Sequence, residues 1–147
     1  VSNNEFQLIK YYSGNDSNKP KMIFIHPAFG GCEMYQEFID RLVKDYNCIG
    51  IDNYNIYEKN KIDNLSKLSS HYINQLNLDK NETIYMFGWS LGGVIAVEMS
   101  YQLEKIGFKN IKAIILDSHF STGRIFEHHP QFDPKKGGKI VDEIIAI

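Results

Sequence analysis

The chain has 147 residues, of which 43% are hydrophobic and 23% charged, and carries a formal charge of −2. That is the length and balance of one globular domain able to bury a sizeable core. It excludes broad electrostatic attraction to nucleic acid or to an anionic membrane surface. No apolar run approaches the roughly 18 residues needed to cross a bilayer. Val1 to Lys10 lacks a charged region followed by an apolar core, so no signal peptide is read there and a cytoplasmic location is expected. Met is absent at position 1, which reads as the start of a domain cut from something longer. Cys32 and Cys48 have neither CxxC nor metal-ligand spacing; they read as reduced thiols, and no metal site is expected.

In chain order, Phe6 to Tyr12 alternates loosely and runs into a Ser-Gly-Asn-Asp-Ser-Asn turn cluster. Met22 to His26 is a short apolar run of the kind buried on both faces of a sheet. The loop Pro27-Ala28-Phe29-Gly30-Gly31 follows. Helical spacing of Met34, Tyr35, Phe38, Ile39, Leu42 and Val43 predicts a helix over Glu33 to Tyr46. Asn47 to Ile51 reads as a strand, Asp52 to Lys61 as polar loop, and Asn64 to Leu78 as a helix. A stronger unit comes next: strand Thr83 to Phe87, turn Gly88 to Gly93, helix Val94 to Ile106, a stop at Gly107, and strand Ile111 to Leu116.

Alternating β and α elements with continuous apolar strands imply an α/β fold, a mostly parallel sheet with helices on both faces. Such sheets place ligands at the C-terminal ends of their strands, and the motifs below fall at such ends. Ser118 to Gly138 is polar, and Lys139 to Ile147 carries Ile140, Val141, Ile144, Ile145 and Ile147, which predicts an apolar helix face. The expected division is a core over 1–118 and the start of a lid region over 119–147.

Gly88-Trp89-Ser90-Leu91-Gly92 matches G-x-S-x-G, with a predicted strand before it and a helix after it. A turn this tight presents a serine at a strained backbone geometry, and small residues two positions to either side avoid collision. Gly93 adds clearance. The Ser90 hydroxyl then sits at a helix N-terminus, where unpaired N–H groups favour developing negative charge. Leu91 N–H is a candidate oxyanion donor. The competing reading is a Gly-rich turn that merely carries a serine. A second donor is expected from His26-Pro27-Ala28-Phe29-Gly30-Gly31, with Ala28 first and Phe29 next. His26 itself reads as an anchor for that loop, with a catalytic base as the competing role.

A serine nucleophile needs a base and an orienting acid. Asp117 ends the strand after the nucleophile helix and is the candidate acid; the competing role is a turn cap. No base can be identified. His119, His128 and His129 follow Asp117 but none follows a further strand, and they read as solvated or lid-surface residues. His71 reads as an exposed helix residue.

Together these runs resemble thioesterase domains of non-ribosomal peptide and polyketide synthetases, within the α/β-hydrolase superfamily. They are Ile23-Phe24-Ile25-His26-Pro27-Ala28-Phe29-Gly30-Gly31, then Gly88-Trp89-Ser90-Leu91-Gly92-Gly93 with Ala96 and Glu98, then Ile114-Ile115-Leu116-Asp117-Ser118. The resemblance covers about Phe6 to Ser118. It implies a Ser90 nucleophile, Asp117 as acid, and Ala28 and Leu91 as oxyanion donors. It also implies no cofactor of the domain's own, and an acyl or peptidyl substrate presented on the phosphopantetheine arm of a carrier domain. The acyl-enzyme is then released by water or by an internal nucleophile, as in antibiotic biosynthesis. Family members continue through a lid and further strands to a catalytic His; this chain is expected to stop where the lid begins, with the last strands and that His missing. A small-molecule esterase or lipase-like hydrolase, and a non-catalytic module that docks a carrier domain or partner chain, are the alternatives.

Overall fold

A computed structural model describes residues 6–116 and 144–146. Among the described residues six strands form one sheet, in the order β1-β3-β2-β4-β5-β6. They are β1 (Ile9–Tyr11), β2 (Lys21–Ile25), β3 (Asn47–Ile51), β4 (Ile84–Trp89), β5 (Ile111–Leu116) and β6 (Ile144–Ala146). β1 runs antiparallel to β3, and every other pairing is parallel. Since β2 turns toward β3 on one side and β4 lies on its other side, the strand order reverses between β2 and β4. Crevices at such reversals are where parallel sheets bind ligands.

The period of two along each strand divides the core between two faces. Ile23, Ile25, Ile49, Ile51, Met86, Ala113 and Ile115 point to one face, covered by α3 (Leu65–Gln75) and α4 (Leu91–Lys105). Met22, Phe24, Cys48 and Phe87 point to the other, covered by a 3-10 turn (Cys32–Tyr35) and α1 (Gln36–Leu42). Both helix ends and starts follow from local chemistry. The Asn64 side chain accepts the Lys67 N–H and caps α3. Gly107, at φ +106°, lets Phe108 N–H reach the Leu103 carbonyl and its own N–H reach Glu104, which closes α4.

The structure differs from the sequence expectations in several places. The helix expected over Glu33 to Tyr46 begins as the 3-10 turn and ends at Leu42. The loop expected over Asp52 to Lys61 holds one helical turn, α2 (Tyr54–Tyr57), because the Asn53 side chain accepts the Asn55 N–H. The helix expected over Lys139 to Ile147 is corrected at its end: Ile144–Ala146 is a strand, parallel to β5. Consecutive β-branched residues suit a pleated strand, and the open edge of β5 supplies backbone partners that helical spacing alone does not reveal.

Candidate active site

β4 ends at Trp89 and α4 begins at Leu91, so Ser90 alone makes the turn. Its backbone sits at φ +56°, ψ −121°, the one positive φ of a non-glycine residue among the described residues. A conformation of this kind costs about 1–3 kcal/mol and persists only where its surroundings impose it. They do so here from both sides. Ser90 N–H donates to the Leu116 carbonyl at 3.0 Å, and the Ser90 carbonyl accepts the Gly93 N–H at 3.1 Å. A Cβ on Gly88 would lie 2.1 Å from the Gly92 carbonyl, and one on Gly92 would lie 2.4 Å from the Ile25 oxygen. Glycine at these two positions lets strand, turn and helix close on one another. Gly93 is buried beside them. Ser90 is half-buried at the N-terminus of a 15-residue helix, whose first N–H groups, Leu91's among them, have no carbonyl partner within the helix.

The loop after β2 stands at the adjacent strand end. His26 is 1% exposed, and both its ring nitrogens are engaged. Nδ1–H donates to the Pro27 carbonyl at 2.7 Å, and Nε2 accepts the Tyr72 hydroxyl at 2.6 Å. That hydroxyl in turn accepts the Tyr54 N–H at 3.2 Å. The arrangement suits a neutral imidazole, the form that burial favours by lowering the His26 pKa. Asn53 Nδ2 lies 3.5 Å from the Pro27 carbonyl oxygen and 3.4 Å from that of Ala28. With no cis peptides among the described residues, the N–H of each peptide points opposite to its C=O. Because those two carbonyls are drawn toward His26 and Asn53, the Ala28 and Phe29 N–H groups face away from them.

The far end of the loop is fixed as well. Gly31 N–H donates to both Glu33 carboxylate oxygens at 3.0 Å, and Cys32 N–H donates to Asp52 at 3.1 Å. Asp52 is buried and also pairs with Lys10 at 2.7 Å. The Cys32 thiol lies 3.3 Å from the Phe24 carbonyl and 3.2 Å from that of Ile51; burial pushes its pKa up to about 12. Burial likewise pushes Cys48 up to about 11, so both remain thiols at neutral pH. Phe29 is 89% exposed, and Met34, Phe38 and Leu91 are also exposed.

The structure therefore brings Gly88, Trp89, Ser90, Leu91, Gly92 and Gly93 together with His26, Pro27 and Ala28 at the ends of β2 and β4. Asp117 lies outside the described residues; Leu116, which precedes it, accepts the Ser90 N–H. His119, His128 and His129 also lie outside them. His71 is half-buried on α3, edge-on to Tyr54 with ring centres 4.8 Å apart. Among the described residues no cluster of three or more His, Cys, Asp or Glu is placed to hold a metal ion, and no helix is long and apolar enough to cross a membrane. Tyr35, Tyr72, Asn53 and Asp52 were not singled out by the sequence. Asp52 and Asn53 had one signal: they directly follow a predicted strand.

The Thioesterase domain family matches this chain over residues 20–129, which contain the elbow and the loop. The chain belongs to that family. Among relatives of this thioesterase domain is the N-(5-amino-5-carboxypentanoyl)-L-cysteinyl-D-valine synthase of Penicillium rubens. It is 30% identical over 108 residues, which covers 70% of this chain and 3% of the synthase. A dimodular nonribosomal peptide synthase of Bacillus subtilis is 27% identical over 104 residues, 69% of this chain and 4% of that protein. The domain thus spans a few per cent of the length of the curated relatives it matches. The NocB thioesterase domain, solved as a covalent complex with a fluorophosphonate nocardicin G analogue, superposes with a TM-score of 0.62 at 20% identity. That match covers 93% of this chain and 66% of that one. The type II thioesterase BorB superposes at 0.61 with 16% identity, covering 76% of this chain and 46% of its own. These superpositions identify an α/β-hydrolase-like fold.

Proposed function

We infer that this domain releases an acyl or peptidyl chain from the phosphopantetheine arm of a carrier domain through a Ser90 acyl-enzyme. The observation that carries the reading is the Ser90 elbow at φ +56°, held at a helix N-terminus beside a loop whose Ala28 and Phe29 N–H groups face away from their anchors. Family membership and the peptide-synthetase relatives support the choice of a carrier-bound thioester. Ser90 Oγ attacks the thioester carbonyl carbon and passes its proton to the catalytic histidine of the family, a residue to which no position of this sequence is assigned. Asp117 is the acid that orients this base. The oxyanion is held by the N–H groups of Ala28 and Leu91. The C–S bond then breaks, and the pantetheine thiol leaves with the proton. Water releases the chain as an acid, or an internal nucleophile closes a ring.

The test is labelling of the intact chain by a fluorophosphonate. Labelling should occur in the parent protein and vanish in Ser90→Ala, with the fold retained. A parent protein that does not label at all defeats the reading. Acyl-enzyme should form faster from an acyl-pantetheine thioester than from a simple ester of the same acyl group. Equal rates would point to a general esterase instead.

A further inference from the structure

A side chain bridges the ends of β2 and β4. Lys21 N–H donates to the Thr83 carbonyl, which fixes the phase of the β2–β4 ladder. In that phase alternate β2 residues bond to β4, and with Ile25 opposite Gly88 the last rung would run from Trp89 N–H to the Ile25 carbonyl. The Tyr35 hydroxyl engages both groups of that rung. It donates to the Ile25 carbonyl at 2.8 Å and accepts the Trp89 N–H at 2.9 Å. An oxygen set between donor and acceptor would hold a rung about 2 Å wider than a direct bond. The bridge falls at the reversal of strand order, next to Ser90 on one strand and His26-Pro27-Ala28 on the other. From the α4 side, Gly92 lies against the same Ile25 oxygen, where a Cβ would come within 2.4 Å.

Tyr35 is held firmly enough to act as a spacer. It is 2% exposed, with its ring 5.7 Å from Phe24 and edge-on to Phe87 at 5.4 Å. Burial raises its pKa, so the hydroxyl keeps its proton. It is also the last residue of the 3-10 turn, so the loop that leaves β2 at Ile25 returns through Tyr35 to the same carbonyl.

We propose that Tyr35 is a positioning residue for acyl transfer: its hydroxyl is the spacer that sets the separation between the backbone donors at Ala28 and Leu91. The proposal rests on Ser90 being the nucleophile. Phenylalanine at position 35 lets Trp89 N–H and the Ile25 carbonyl close the rung directly, which keeps the fold and narrows the crevice.

The experiment measures fluorophosphonate labelling of the intact chain, separating the maximal rate from the inhibitor's binding constant, together with thermal unfolding and exchange of the Trp89 amide. Tyr35→Phe should slow the maximal rate about 30- to 100-fold, the size expected when a misplacement near 1 Å disturbs reacting geometry. The binding constant should stay within about twofold, the thermal midpoint should be unchanged, and the Trp89 amide should remain protected. Labelling within about twofold of the parent overturns the spacer role, and so does a slowing that merely tracks a lowered thermal midpoint. If Tyr35→Phe does not fold, a backbone ester in place of the Trp89 amide deletes the N–H from the other side. A slowing of about tenfold or more then supports the proposal, and an unchanged rate overturns it. A parent protein whose labelling survives in Ser90→Ala sinks the nucleophile reading and the spacer with it. A parent that labels through Ser90 alongside an unaffected Tyr35→Phe sinks only the spacer.

Discussion

The two halves of the site are held by opposite means. The elbow is held by contact and by its own backbone hydrogen bonds: Gly88 and Gly92 leave no room for a methyl group, and Ser90 is pressed into a backbone region that serine avoids. The loop facing it is held by polar bonds to side chains, those of His26 within it and of Tyr72, Asn53, Asp52 and Tyr35 beyond it. An elbow made by contact fails when an atom is added. A loop held by polar bonds fails when one is removed, because the abandoned partner stays buried.

The largest effect should come from adding an atom. Gly88→Ala forces a Cβ to within 2.1 Å of the Gly92 backbone, which has no flexible side chain to move aside. We expect a loss of about 3 kcal/mol in denaturant unfolding and labelling of Ser90 slowed about 100-fold or more. A variant of normal stability would mean that the elbow has slack.

His26→Asn probes the loop and should cost about 1–3 kcal/mol at pH 8, because Tyr72 loses its acceptor. The pH dependence is the sharper measurement. Burial lowers the folded-state pKa of His26 below its ordinary value of 6.5, so the unfolded chain takes up the proton first. The contribution of neutral His26 is fully present above pH 6.5. It falls as the pH drops below that value, at up to about 1.4 kcal/mol per pH unit, until the folded-state pKa is passed. Unfolding of the parent at pH 6.5 and pH 5 should show this slope, and His26→Asn should show less of it. Equal slopes in the two proteins would count against a neutral, buried imidazole.

The smallest effect has the opposite sign. Ser90→Gly relieves the positive φ and should stabilise the fold by about 1 kcal/mol while abolishing labelling. A destabilised Ser90→Gly would mean that the elbow stores no strain.

What the sequence revealed divides along the same line. Contact through local spacing was legible. Gly88 and Gly92 flank Ser90 within one motif, and the strand-turn-helix pattern around them follows from apolar runs and a change of period. The parallel sheet was legible for the same reason. Polar fixing was not. Tyr35 occupies an apolar position in a helical pattern, and nothing near it announces that its hydroxyl bridges two strands. His26 was readable as an anchor from its place before the loop, but Tyr72, its partner, is 46 positions away. Ile144–Ala146 was misread because a short apolar stretch fits either period, and the edge of β5 that decides between them is a tertiary fact. Asp117 and the histidines after it fall beyond the described residues, so for them the sequence remains the source.

The Tyr35 bridge also bears on how the molecule comes to be folded. It joins residues 54 positions apart, and the His26–Tyr72 bond spans 46. Closing loops of that length carries an entropy cost that local helix turns do not, so contacts of this kind form once much of the chain has collapsed. The strained elbow cannot be imposed before β2 and β4 lie side by side. The geometry that would make Ser90 reactive is therefore a product of the assembled sheet, absent from the isolated strand and helix that supply its atoms.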